Sequence, residues 1–554
     1  MNLTLAEGAL IGIVPIIVVF VLMIKFNMPA VKAMPIGWVV AAVLAGIFWR
    51  MPTVWIASAT VKGILSAVDI LIIVFGAVLL YYNMVESGAV SMITKTIAGL
   101  SNDRRVQASL VWLLAAFFEG AAGFGTPGAI AGPFLVAIGF PGLIAASLVL
   151  IYNSTPVSFG AVGTPILGGV APTLNVPNVQ QALSAAGIDY TYWITKMVTS
   201  WVGIIHGIVG TFLPLLALYF FIKWTKGTNR DFLEGIPQAL TAGLVFTVPY
   251  VLFAIFVGPE FPSLLGSLVG LVIFSLLLKS GKFRFSKPYD FKEEDKEYRE
   301  LKKEENSVKP KFGTFTAFLP YLLVALILVL TRAVPAIKAL VNKYGVLKWT
   351  NIFGTTASWS MKVINNPGLY FAIVVLLSHW FFKMDKEQVK KVWKTTALRM
   401  APVAVALGFA VALSQVMILS GNNPAHIDSM LVMIAKGVAA ITGRAYSLIA
   451  PFIGILGAYM AGSNTVSNIM FSGFQYEAAT AIGISRTITI AEQVVGGATG
   501  NMICVHNVVA VCATVGIVGK EGQVIKRNLI PAAIYGLAAG ILGTIFILLN
   551  PHLF

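Results

Sequence analysis

A chain of 554 residues that is 57% hydrophobic and only 11% charged has too little polar side-chain surface for a water-soluble globule, so it belongs in lipid. Its formal net charge of +16 would suit nucleic acid on a soluble face, but the basic residues fall between apolar runs, where they set topology, and no nucleic-acid partner is expected. Cys504 and Cys512 share one apolar segment and read as buried thiols, giving neither a disulfide framework nor a metal-ligand set; no metal or cofactor is expected.

In chain order, Met1 to Glu7 has no basic leader and Lys25 and Lys32 follow the first apolar run, so no cleaved signal peptide is expected and the N-terminus is placed outside. Ala9–Ile24 and Ala33–Trp49 carry no charge and approach or reach the roughly 17 residues that cross a bilayer as helix. Val106–Ile138 is too long for one untilted crossing of about 30 Å, and its middle reads Gly120-Ala121-Ala122-Gly123-Phe124-Gly125-Thr126-Pro127. Leu148–Val170 is interrupted in turn by Asn153-Ser154-Thr155-Pro156. After the uncharged run Ile236–Val257 comes the most charged stretch, Lys279–Lys311, with 11 basic and 8 acidic residues. It reads as a solvated cytoplasmic linker dividing a first half, 1–278, from a second, 312–554. There Ala401–Ser420 is uncharged, and Ala445–Phe474 is again long and interrupted, by Ala461-Gly462-Ser463-Asn464-Thr465. Val494–Val518 is broken by Gly496-Gly497-Ala498-Thr499-Gly500-Asn501, and Leu529–Leu549 closes the chain, with the C-terminus outside.

Alternating the crossings outward from the charged linker puts 28 Lys and Arg inside against 11 outside, which supports the register. The alternation works only if 106–138 and 445–474 each enter and leave on one side, as re-entrant hairpins, the first opening to the cytoplasm and the second outside. Non-helical backbone at such depth is tolerated where it is buried in protein or lines a polar cavity. Met92-Ile93-Thr94-Lys95 matches Met433-Ile434-Ala435-Lys436, Arg104 matches Arg444, and Ala122 to Thr126 matches Ala461 to Thr465, at offsets of 341, 340 and 339. The expected fold is therefore all-α and polytopic, an inverted-topology repeat with two re-entrant hairpins and two discontinuous helices, 148–170 and 494–518.

Thr126-Pro127 and Thr155-Pro156 are helix-start signatures, and Ser463-Asn464-Thr465 and Thr499-Gly500-Asn501 can cap in the same way. Converging half-helix N-termini, with free N–H groups and partial positive charge, suit an anion. Gly123, Phe124, Gly125, Thr126, Asn153, Ser154, Thr155, Ser463, Asn464, Thr465, Thr499 and Asn501 are the candidate substrate-binding residues. Gly163-Thr164-Pro165 and Ser472-Gly473 read as packing or hairpin features rather than ligand contacts. Ionisable groups inside apolar segments are costly, which makes Glu119, Glu492 and His506 candidates for proton coupling. Asp69, His206 and Arg486 read as interface residues, and Arg104, Lys95, Lys436 and Arg444 as anchors.

Glu119 to Pro127, Met460 to Gly473 and Gly500 to Asn507 resemble signatures of the L-lactate permease family, and the likeness extends over most of the chain. It implies a bacterial inner-membrane symporter of L-lactate and related 2-hydroxymonocarboxylates, D-lactate and glycolate among them, with protons. Ser463-Asn464-Thr465 also resembles motifs of the wider ion-transporter superfamily, which implies a scaffold domain paired with an elevator-like transport domain. Sodium-coupled members of that superfamily look to carry Ser-Asn-Thr at both tips; here the first tip reads Phe124-Gly125-Thr126, which is easier to reconcile with proton coupling. A sodium-coupled carboxylate symporter or a cation/proton antiporter is the alternative, and a rocking motion fits as well as an elevator. The sequence leaves the oligomeric state open, a homodimer included. An integral-membrane enzyme would need a metal-ligand cluster or a nucleophile with its base, and no such motif is present, so transport rather than catalysis is expected.

Overall fold

The computed structural model describes residues 3–554 apart from 27, 124–125, 284 and 292–311. Most of the charged linker therefore lies outside the described residues, as do Phe124 and Gly125. The regular secondary structure of the described residues is helical except for one antiparallel strand pair, Val346–Trp349 with Trp359–Lys362, in which Val346 faces Lys362 and Trp349 faces Trp359. Among the described residues, 12 stretches are long and apolar enough to cross a membrane, judged by length and composition.

The two halves share an order of elements. In the first, a 34-residue helix, Thr53–Glu86, is followed by the short Ala89–Ala98 and then by Arg104–Ala122 and Thr126–Ala137, which meet at Gly123. In the second, the 34-residue Lys386–Leu419 is followed by Met430–Thr442 and by Tyr446–Ala461 and Asn464–Ile482, which meet at Gly462-Ser463. Both junctions rest on glycine in a positive-φ conformation, 60° at Gly123 and 75° at Gly462, which a side chain would strain. In each half the two arms fold back against each other.

Lipid tails are as apolar as leucine, so close packing through small residues holds such helices together. The two 34-residue helices form the most extensive contact among the described elements, where a Cβ on Gly63 would run into the backbone of Ala412. A buried ion pair fixes the start of Arg104–Ala122. Asp103 accepts from the Arg105 amide at 2.8 Å, and its other oxygen pairs with the Arg105 guanidinium at 2.6 Å. The same guanidinium donates to the Asp231 carbonyl at 2.9 Å and lies over the Phe285 ring, tying this arm to helix Asn229–Phe256.

The first discontinuous segment breaks where its sequence suggests and kinks again further on, and the second breaks later than its sequence suggests. Helix Gly142–Tyr152 does end at Asn153, but Thr155 opens a short 3-10 turn, Thr155–Phe159, with no side-chain cap from Ser154. Positive φ at Ala161, Val162 and Gly163 then kinks the chain before a π-helical turn, Pro165–Val170. In the second half, Arg486–Gly500 runs helically through Gly496, Gly497 and Thr499, and the break falls at Asn501 to Cys504, before Val505–Thr514. The glycines serve close approach instead: a Cβ on Gly496 would strike the Pro451 carbonyl, and one on Gly500 would sit 2.6 Å from that of Ile455.

Candidate functional site

The two tips and the two broken segments meet at one cavity of about 30 Å³. The first tip contributes Glu119 and Gly123, and the first broken segment Asn153, Val157, Gly160, Ala161, Thr164 and Pro165. Gly462, Ser463, Asn464 and Thr465 come from the second tip and Asn501 from the second break. Close backbone approaches bring them together. A Cβ on Gly123 would lie 2.8 Å from that of Ala161, and one on Gly160 would collide with the Glu119 carboxylate. Asn468 donates its amide to the Pro165 carbonyl at 3.1 Å, which pins the π-helical turn of the first half to the second-half arm.

The polar character of this cavity lies in what is left unpaired. Glu119 Oε2, Asn153 Oδ1 and both side-chain polar atoms of Asn464 are buried without a hydrogen-bond partner. Leaving such an atom unsatisfied costs about 1–3 kcal/mol, so a cluster of them at one cavity points to a ligand that completes them. Ser463 makes no side-chain cap at the start of the 19-residue helix Asn464–Ile482, so that N-terminus presents its first N–H groups without a side-chain acceptor from its own cap residue. Glu119 is the one ionisable side chain among the lining residues described. Asn501 is held in place, donating to the Gly497 carbonyl at 3.2 Å and accepting from Asn507 at 2.7 Å.

Of the residues singled out in the sequence, Gly123, Asn153, Ser463, Asn464, Thr465, Asn501 and Glu119 line this cavity. Thr126 opens the second arm of the first hairpin, with its side chain outside the described set. Ser154 donates to the Ile151 carbonyl at 2.8 Å, Thr155 pairs with the Tyr535 hydroxyl at 3.0 Å, and Thr499 donates to Val495 within its own helix at 2.8 Å; none of the three lines the cavity. Glu492 points elsewhere, accepting from Ser447 at 2.6 Å and lying against Gly543 of the last helix. The ring of His506 stands beside Gly462, behind the second tip.

Thr164 and Pro165 are lining residues that the sequence reading had set aside as packing. Their Thr-Pro signature is the same one that singled out Thr126 and Thr155, so it was available. His206, read as an interface residue, is fully buried, with its two ring nitrogens 2.7 Å from Ser158 and 2.6 Å from Tyr535. With Thr155 and Tyr535 it braces the 3-10 turn from behind.

The sequence matches the family described as L-lactate permease across residues 8–550. A Haemophilus influenzae relative is 31% identical, covering 97% of this chain and 98% of its own length. The L-lactate permease of Salmonella typhimurium is 29% identical over 97% of this chain and 95% of its own, and the glycolate permease of Escherichia coli 27% over 96% and 95%. With those likenesses and its many apolar spans, this multi-pass membrane chain belongs to the L-lactate permease family.

Proposed function

We propose that the protein is a secondary active transporter that moves L-lactate and related 2-hydroxymonocarboxylates across a bacterial plasma membrane together with a proton, binding the carboxylate in the cavity between the two tips. The observation that carries this reading is the convergence of unpartnered Asn464, Asn153 and Glu119 atoms with the start of helix Asn464–Ile482. The names of the relatives, L-lactate and glycolate permease, supply the substrate class. An anion at the helix start gains from the exposed N–H groups and the partial positive charge there, by up to about 2 kcal/mol when partly buried.

The proton follows from charge. Bringing one anion into a negative cell interior costs roughly 2.3 kcal/mol per 100 mV, and a proton carried with it cancels that cost. In the cavity, the substrate carboxylate and Glu119 repel if both are charged, and a proton on Glu119 turns repulsion into a hydrogen bond. Glu119 is thus the coupling residue in this reading, in preference to Glu492, which faces away from the cavity.

A cavity of about 30 Å³ holds on the order of two waters, less than a lactate needs, so the tips must part to load. The tips and broken segments form the moving unit of an inverted repeat, with the paired 34-residue helices on the scaffold side, and the re-entrant hairpins carry the site across.

Purified protein in liposomes tests the function directly. An inward pH gradient without sodium is expected to drive accumulation of labelled L-lactate, and Glu119→Gln to lose that accumulation while still exchanging labelled for unlabelled lactate. Accumulation that requires sodium removes the proton-coupling half of the proposal, and pH-driven accumulation that survives Glu119→Gln removes Glu119 as the coupling residue.

A further inference from the structure

A second cavity, of about 660 Å³, lies between the long helix Thr53–Glu86, the segment 167–180 and the strand pair 346–362, and shares no lining residue with the first. Its wall carries Lys62, whose side chain is 7% exposed. The ammonium donates to the Asn175 carbonyl at 3.3 Å, and no described carboxylate pairs with it. A buried charge normally needs an opposite charge as well as hydrogen bonds, and one neutral carbonyl supplies neither in full.

The other charged side chains on this cavity are Lys348 and Asp69. Asp69 stands two helical turns from Lys62, about 10 Å along the axis at roughly 1.5 Å per residue, and its carboxylate already accepts from Asn366 at 2.7 Å. The cavity thus carries one excess positive charge. Its remaining polar lining includes Ser66 and Gln180, the latter held by Asn175 at 2.6 Å, while Trp55 and Ile70 give it an apolar flank. A cation, hydroxyl and amide groups, and an apolar wall are what a small carboxylate with a short hydrocarbon body requires.

We propose that this cavity is a second anion site, at which Lys62 binds the carboxylate of a small monocarboxylate before it enters the cavity between the tips. The choice of a monocarboxylate rests on the transport function proposed above. The strand pair lies in the stretch that the basic-residue bias places outside, so the site would receive substrate from the external solution. Ile70, on its wall, packs against Gly168 of the π-helical turn whose first residue, Pro165, lines the central cavity. The two sites are therefore separated by little more than that turn.

The test reads occupancy without requiring transport. Thr356 is exposed and lines the cavity, so Thr356→Cys, in a background of Cys504→Ala and Cys512→Ala, is labelled with a membrane-impermeant maleimide in proteoliposomes. L-lactate is expected to slow labelling, whereas sodium chloride at equal ionic strength and the neutral lactamide are not. Lys62→Gln should raise the half-protecting lactate concentration about tenfold, the scale of one hydrogen bond to a charged group, and Lys62→Arg should largely restore it. The protein with Lys62 intact already decides the matter: no protection by lactate, or equal protection by chloride or lactamide, overturns the monocarboxylate site. Protection that persists unchanged in Lys62→Gln overturns the role of Lys62. Lactate accumulation by the same preparation is scored separately, so protection without accumulation discards the transport reading alone, and accumulation without protection discards this site alone.

Discussion

At the scale of single residues, membership of an apolar segment can be read from hydropathy, but the direction a side chain faces cannot. Glu119, Glu492 and His506 all stand close in sequence to a break, yet only Glu119 lines the cavity. A helix turns about 100° per residue, so a correctly placed carboxyl can still face a neighbouring helix, as Glu492 faces Ser447. Asn464 and Thr499 show the same divide. Asn464→Ala removes a buried amide with no other partner, and lactate KM in proteoliposomes is expected to rise about tenfold. Thr499→Val removes a hydroxyl bonded to its own helix and should change KM by less than about twofold. Equal effects from the two would place substrate somewhere other than the second tip. Gly160 reports on the same cavity from the opposite wall, since Gly160→Ala would push the Glu119 carboxylate out of position and should reduce pH-driven uptake more than lactate exchange.

Among elements, the interruptions of both long apolar segments were legible because glycine at a tip and Thr-Pro or Ser-Asn-Thr at a helix start are local signals. The broken segments were legible only in outline. Gly496, Gly497 and Gly500 look like a break in the sequence but permit close contact, with Gly497 lying against the Asn464 side chain. Composition alone does not separate those uses of glycine. Thr164-Pro165 was the reverse case, a genuine helix start taken for packing. Arg105 carries no local signal that sets it apart; its burial follows from contacts with Asp231 and Phe285, far along the chain. Arg105→Ala leaves Asp103 charged and buried, and should lower stability by about 3–5 kcal/mol, seen as a clear fall in thermal midpoint in detergent. Lys436→Ala, which removes an exposed partner of Asp428, should change stability by less than about 1 kcal/mol.

For the whole molecule, the near-constant offsets between matching motifs correspond to a matching order of helices, down to two that are 34 residues long. The direction in which each half crosses the membrane is a separate matter, and labelling can measure it. In intact cells an impermeant maleimide is expected to modify Thr356→Cys and not Lys383→Cys, both in the cysteine-free background and both at exposed positions. The opposite pattern would reverse the assignment of inside and outside, and with it the side from which the Lys62 cavity fills.

The hydrogen bond from Asn468 to the Pro165 carbonyl joins residues 303 positions apart. Ribosomes add about 5–20 residues per second, so the kinked turn waits roughly 15–60 s for the partner that secures it. During that interval its loosened backbone must be shielded by neighbours made earlier, such as Gly123, which approaches Ala161 at the kink, and Ile70, which packs against Gly168. Synthesis of the first 278 residues alone would therefore yield an inserted fragment whose cargo pocket is unfinished, and co-production of the missing portion should be enough to complete it.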